Sequence, residues 1–198
     1  IRDRSNTVVN LVDSCCTLTE SKDTVRDLSN TDLEYLFLQV RIKSVGEITN
    51  VVLGCENQPT CDGQTTVEVD LSSIDVEGEV KDNKIMLTDS VGVTLKVPNF
   101  NEIQSTIGDI TEIGSGDIFS VLAQSIESIF DAEEVHSKGD FTTKELNDFV
   151  NELSTEQFNN IMEWFSSLPK LIKDVEYNCS KCGTPCKVRL EGIQNFFV

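Results

Sequence analysis

The chain has 198 residues, 38% hydrophobic and 25% charged, which suits one folded core with a helical annex and argues against wholesale disorder. Its 16 basic side chains stand against 34 acidic ones, a formal net charge of -18, which argues against a broad phosphate-binding or anionic-membrane surface and favours a basic protein partner. No run of 18 apolar residues is present, so no segment is expected to span a membrane.

The first residue is Ile1 and not Met, so the natural start is expected to lie upstream. Seven cysteines, an odd number with Cys15 and Cys16 adjacent, do not fit a disulfide framework and point to reduced thiols, some of them on a metal.

Arg2 to Cys16 places Val8, Val9, Leu11, Val12, Cys15 and Cys16 on an apolar helical face, with both thiols expected in the core. A second helix is expected to start at a capping box of Thr31 and Glu34, to bury Leu33, Leu36, Phe37 and Val40, and to stop at Gly46. Ile48 to Leu53 and Thr65 to Leu71 then read as strands, the second alternating Val67, Val69 and Leu71 with Glu68 and Asp70. Lys84 to Thr88 and Val91 to Val97 form a further hairpin closed by Pro98.

From Asn99 to Asn160 there are thirteen acidic residues against two lysines, Lys138 and Lys144. Helical spacing returns there. Asp117 is expected to cap one amphipathic helix running from Ile118 through Phe130, and Thr142 with Glu145 and Ser154 with Gln157 to start two more. Trp164 and Phe165 read as core of this annex. Leu171 to Tyr177 and Lys187 to Leu190 are strands around a cysteine turn, and Phe196-Phe197-Val198 is an apolar terminus that must dock somewhere.

The fold class expected is α+β: a small, mostly antiparallel sheet of hairpins with flanking helices, a zinc-ribbon-like cysteine knuckle and an acidic all-helical insert. The expected division is 1–98 (helix pair and hairpins), 99–169 (acidic insert) and 170–198 (a C-terminal hairpin packing back on the 47–98 sheet).

Chemistry concentrates in Cys179-Ser-Lys-Cys182-Gly183. Two cysteines at this spacing aim both sulfurs at one ion, and the glycine lets backbone amides turn toward them. The second ligand pair is assigned to Cys55 and Cys61, also in a hairpin loop, giving a structural Zn2+ on Cys55, Cys61, Cys179 and Cys182. Their five-residue separation is wider than a ribbon prefers. Cys186 stays open as a ligand or a spare, and a metal-free thiol cluster, one disulfide or a redox pair are the alternatives. No catalytic residues are assigned. His136 is the sole histidine, and Gly114-Ser115-Gly116 lacks the rest of a nucleotide loop.

Three stretches carry a resemblance. Asp32 to Glu47 (DLEYLFLQVRIKSVGE) resembles the central motif of the T4-like bacteriophage baseplate hub assembly proteins. Lys84 to Thr88 with Val91 to Pro98 is similar to that family's next hairpin, and Cys179 to Gly183 followed by Leu190 to Phe197 is similar to its C-terminal signature. The resemblance implies a non-enzymatic protein that assists assembly of the central baseplate hub or forms part of it. Its partners would be other hub or wedge proteins, with a homo-oligomer as a further option. It would act in the host cytoplasm during assembly, with the virion tail as its other location. The family's N-terminal strand region is expected to be missing from this chain. The alternative is a zinc-ribbon module of a nucleic-acid-associated or enzyme complex, for which Lys173, Lys181, Lys187 and Arg189 would supply a small basic patch.

Overall fold

The structure, a computed structural model, describes residues 4–17, 24–107 and 115–196. In chain order these form α1 (Arg4–Cys15), α2 (Asn30–Val45), β1 (Ile48–Gly54), β2 (Gln64–Asp70), β3 (Asp75–Glu77), β4 (Lys84–Met86) and β5 (Gly92–Leu95). There follow α3 (Phe100–Ile107), α4 (Ser115–Ser125), β6 (Ile126–Phe130), β7 (Val135–Ser137), α5 (Thr143–Asn151), α6 (Thr155–Ser167), β8 (Lys170–Asn178) and β9 (Pro185–Glu191). The class is α+β with small antiparallel sheets, ordered β1-β2, β3-β8-β9 and β4-β5-β6-β7.

The chain divides into two units. Unit 1 holds Ile1–Asn30 and Glu79–Leu168; unit 2 holds Thr31–Gly78 and Pro169–Val198.

Unit 2 is built on two hairpins. β1 and β2 pair without a bulge from Ile48↔Asp70 to Gly54↔Gln64. Period-two alternation sends Val51, Leu53 and Val69 inward and leaves Val52, Glu68 and Asp70 exposed. β8 pairs with β9 along its length and with the short β3 on its other side. The inward residues of both hairpins meet Leu38 of α2 and Phe196 of the C-terminal turn in one core, in which Leu171 and Phe196 are fully buried. α2 begins one residue before the expected cap, so Thr31 lies inside it and its hydroxyl donates to the Pro169 carbonyl at 2.7 Å. Leu33 and Leu38 are its buried residues, while Leu36, Phe37 and Val40 are only half-buried. Gly46 ends the helix at φ +119°, donating to the Ile42 carbonyl at 3.0 Å.

Unit 1 sets the four-stranded sheet against α4, α5 and α6. Val93, Leu95, Leu122, Ile126, Val150, Ile161 and Trp164 form its core. Both capping boxes form as the spacing predicts: Thr142 Oγ1 accepts from the Glu145 amide and Ser154 Oγ from the Gln157 amide, each at 3.2 Å. Trp164 is buried, with its indole N–H on the Lys81 carbonyl.

Three expectations need correction here. The stretch 99–169 is not all-helical: the helix expected through Phe130 stops at Ser125, and Ile126–Phe130 is a strand paired with β5 and β7. Ile126, Ile129 and Phe130 favour extended backbone, and two neighbouring strands satisfy the amides a longer helix would have used. Asp117 sits inside α4 and not at its cap, since the helix begins at Ser115. Cys15 is exposed and Cys16 only half-buried, because the inward stripe of α1 is the narrow one through Val9 and Val12. Gly114, Phe197 and Val198 lie outside the described residues.

Candidate metal centre

The two long hairpins of unit 2 bring their loops together. Cys55 and Cys61 come from the β1–β2 loop, Cys179 and Cys182 from the β8–β9 loop, and their four sulfurs all lie within 4.8 Å of one another. Sγ of Cys55 is 3.6 Å from that of Cys182, and Sγ of Cys61 is 3.8 Å from that of Cys179. A tetrahedral zinc with bonds of about 2.3 Å has sulfurs about 3.8 Å apart, whereas a disulfide requires about 2.05 Å. The arrangement therefore fits one tetrahedral thiophilic ion and no cystine.

Local hydrogen bonding builds each knuckle. The Asn57 amide donates to Cys55 Sγ at 3.4 Å, the Cys61 amide to the Asn57 carbonyl and the Cys55 amide to the Gly63 carbonyl. In the other loop, Gly183 takes φ +73° and donates to the Cys179 carbonyl at 2.8 Å, while the Cys179 amide reaches the Thr184 carbonyl. The Cys182 and Lys181 amides are turned onto Cys179 and lower its thiol. The Thr184 hydroxyl and amide likewise lower the Cys182 thiol, to about 6. For Cys55 the Asn57 amide works the other way from the net result: burial and the neighbouring thiols of Cys182, Cys179 and Cys61 outweigh it and push this thiol up. Cys61 rises as well, the Gly63 amide being outweighed by burial and by Cys182 and Cys179. Four thiolates this close repel one another, and a divalent cation at their centre would remove that opposition.

Contacts between the loops hold the centre in register. Ser180 donates through its amide to Thr65 Oγ1 at 2.9 Å and through its hydroxyl to the Gln64 carbonyl at 2.8 Å. Asn57 Nδ2 donates to Thr184 Oγ1 at 2.9 Å, Tyr177 Oη to the Gly54 carbonyl, and Lys181 pairs with Asp62.

Cys186 is buried beside this group, yet its thiol donates to the Thr184 carbonyl at 3.4 Å and lies outside the four-sulfur set. One residue that sequence reasoning passed over belongs to the centre. A Cβ at Gly63 would stand 2.6 Å from Cys179 Sγ and 2.8 Å from Lys181 Cβ, so only glycine fits. The signal was its place two residues after Cys61, where a knuckle amide is needed.

The remaining candidates are accounted for. His136 is half exposed on β7 with Glu134 at 3.4 Å. A cavity of about 280 Å³ in unit 1 is lined by Ser105, Gln124, Lys138 and Thr143 among others, none of its lining residues being a histidine or cysteine. Each of the four cations near the knuckle is engaged: Lys181 by Asp62, Lys187 by Glu176, Arg189 by Asp174 and Glu77, and Lys173 by the Ser73 carbonyl. Among the described residues no helix is long and apolar enough to cross a membrane.

Comparison with known proteins agrees with the three motifs. No curated protein and no solved structure matches the chain. The family model of the T4 bacteriophage base plate protein matches residues 2–198, nearly the whole length, and the chain belongs to that family.

Proposed function

We propose that the chain is a non-enzymatic base plate protein that assists assembly of the central hub, or forms part of it, through contacts with other hub or wedge proteins. The match of the family model over residues 2–198 carries this reading. A centre of four cysteines supports it, because four sulfur ligands leave a tetrahedral ion no open position for substrate or water. The role assigned to Cys55, Cys61, Cys179 and Cys182 is that of ligands to one structural Zn2+. The outer faces of α5 and α6 and the turn between them, with exposed Glu145, Asp148, Glu152, Glu156 and Glu163, are the first contact surface to test. Work of this kind takes place in the host cytoplasm, and the protein then leaves or stays in the tail.

Two measurements test this. Co-expression with hub and wedge proteins, followed by pull-down across a salt series, is expected to retain a partner more weakly as salt rises; retention of none would sink the assembly role. Native mass spectrometry is expected to find one zinc per chain, lost in both Cys55→Ser and Cys179→Ser. Metal-free protein, folded and fully reduced, would reject the zinc assignment alone.

A further inference from the structure

An open sheet edge is a template for a strand from another chain unless charge, proline, brevity or a cap blocks it. Most edges here are blocked. Along β9 the residues whose backbone points off the sheet are Pro185, Lys187, Arg189 and Glu191, and the Lys187 amide is taken by Glu56 at 2.5 Å. β3, β4 and β7 are three residues long, with the Lys84 amide capped by Asp82 and the Ser137 amide by Asp140. β2 presents Glu68 and Asp70.

β1 differs. The Glu47 carbonyl accepts from the Leu71 amide at 2.7 Å, and the Cys55 amide donates to the Gly63 carbonyl at 3.0 Å, so the odd-numbered residues between them exchange hydrogen bonds with β2. The amides and carbonyls of Ile48, Asn50 and Val52 therefore point off the sheet. Among the described residues they meet no partner, and only Gly54 beyond them is capped, by Tyr177. The strand has seven residues and an unbroken register, and its outward side chains carry no charge and no proline. Ile48 is 47% exposed and Val52 51%, so both apolar side chains stand in solvent.

What borders the edge states what fits it. Ile48 stands opposite Asp70 and Asn50 opposite Glu68, with Glu47 at the strand's entry, so an apolar, hydrogen-bonding ribbon runs beside an acidic band. A second copy would bring a like band and another net charge of -18 to the same place. We propose that the Ile48–Val52 edge of β1 receives an extended, basic segment of a partner protein by strand addition. Its backbone would pair with Ile48, Asn50 and Val52, and on the face these share with Glu68 and Asp70 its β-branched side chains would cover Ile48 and Val52 while a Lys or Arg between them reaches toward the Glu68 and Asp70 carboxylates. This deepens the base plate reading by naming a surface and rests on it only for the partner's identity.

The probe is a nine-residue peptide in which every second residue runs Val, Lys, Val, Lys along one face with Thr between them, added to the full-length protein at physiological salt and followed by NMR and amide exchange. Protection of the Asn50 and Val52 amides is expected, with none from a Val/Glu peptide and none from a Val/Lys peptide of the same composition arranged in two blocks. Asn50→Pro removes an outward donor that the β1–β2 ladder does not use, so binding is expected to weaken about tenfold while β2 amides and metal content stay as they were. Val52→Lys, a surface change, should do the same. Equal binding to both variants, or protection confined to α5 and α6, would overturn the proposal. So would protection of β1 that grows with protein concentration and needs no peptide, since a second copy then fills the edge. Because the probe is synthetic, either result leaves the pull-down with hub proteins to be judged separately.

Discussion

Gly63 and Cys186 define the limits of the cysteine centre at the level of single residues. Gly63→Ala places a methyl group against Cys179 Sγ at 2.6 Å, so the loop must shift and metal retention is expected to fall in native mass spectrometry. Cys186→Ser is expected to keep the metal, since that thiol is spent on the Thr184 carbonyl. Glu102 makes a different test. Burial opposes its charge, but Lys96 and the Asn99 amide outweigh burial and hold its carboxyl below the usual value of 4.5. A carboxyl lowered by folding contributes stability above its unfolded pKa and loses it as pH falls through the lower, folded value. Glu102→Gln is therefore expected to lessen the acid sensitivity of unit 1 between about pH 5 and the folded value, read as a smaller fall in melting temperature on acidification. Of these residues the sequence made the four clustered cysteines legible, because spacing in hairpin loops is written locally. It did not reveal Gly63 or Glu102, whose roles depend on a sulfur from the opposite loop and a lysine six residues away.

Elements with a local code were read well, and those with a distant one were not. The caps at Thr142 and Ser154 are local, and Ser154→Ala is expected to cost about 1 kcal/mol in denaturant unfolding by leaving the Gln157 amide unpaired. The box of Asn99 with Glu102 that starts α3 follows the same rule with Asn as the cap. The boundary at Ser125 was hidden because Ile126, Ile129 and Phe130 continue a helical spacing from Leu122. The choice between helix and strand there lay with β5 and β7, which offered partners on both sides. β3 was missed for a similar reason. Three residues carry too little pattern, and the pairing of Val76 with Leu171 joins positions far apart in the chain.

On the scale of the whole chain, unit 2 is assembled from two separate segments, Thr31–Gly78 and Pro169–Val198, and each contributes two of the four cysteines. Metal removal should therefore act unequally. A strong chelator is expected to expose the amides of β1, β2, β8 and β9 to hydrogen exchange while those of α4, α5 and β6, which belong to another core, keep their protection. Uniform loss of protection, or none, would count against a metal that holds unit 2 together.

The ends of the intervening segment meet as well: Glu77 pairs with Lys170, and the Glu79 amide donates to the Ser167 carbonyl at 2.9 Å. Cys61 and Cys179 are 118 residues apart along the chain. A bound ion would thus act as a mechanical clasp. Tension applied across Thr31 and Phe196 would part the core that Leu38 and Phe196 share and then meet the coordination bonds, and their rupture, followed by unfolding of the enclosed segment, would release roughly 400 Å of hidden contour length. Single-molecule stretching would show that length as one large step with metal present and as smaller, weaker steps after chelation.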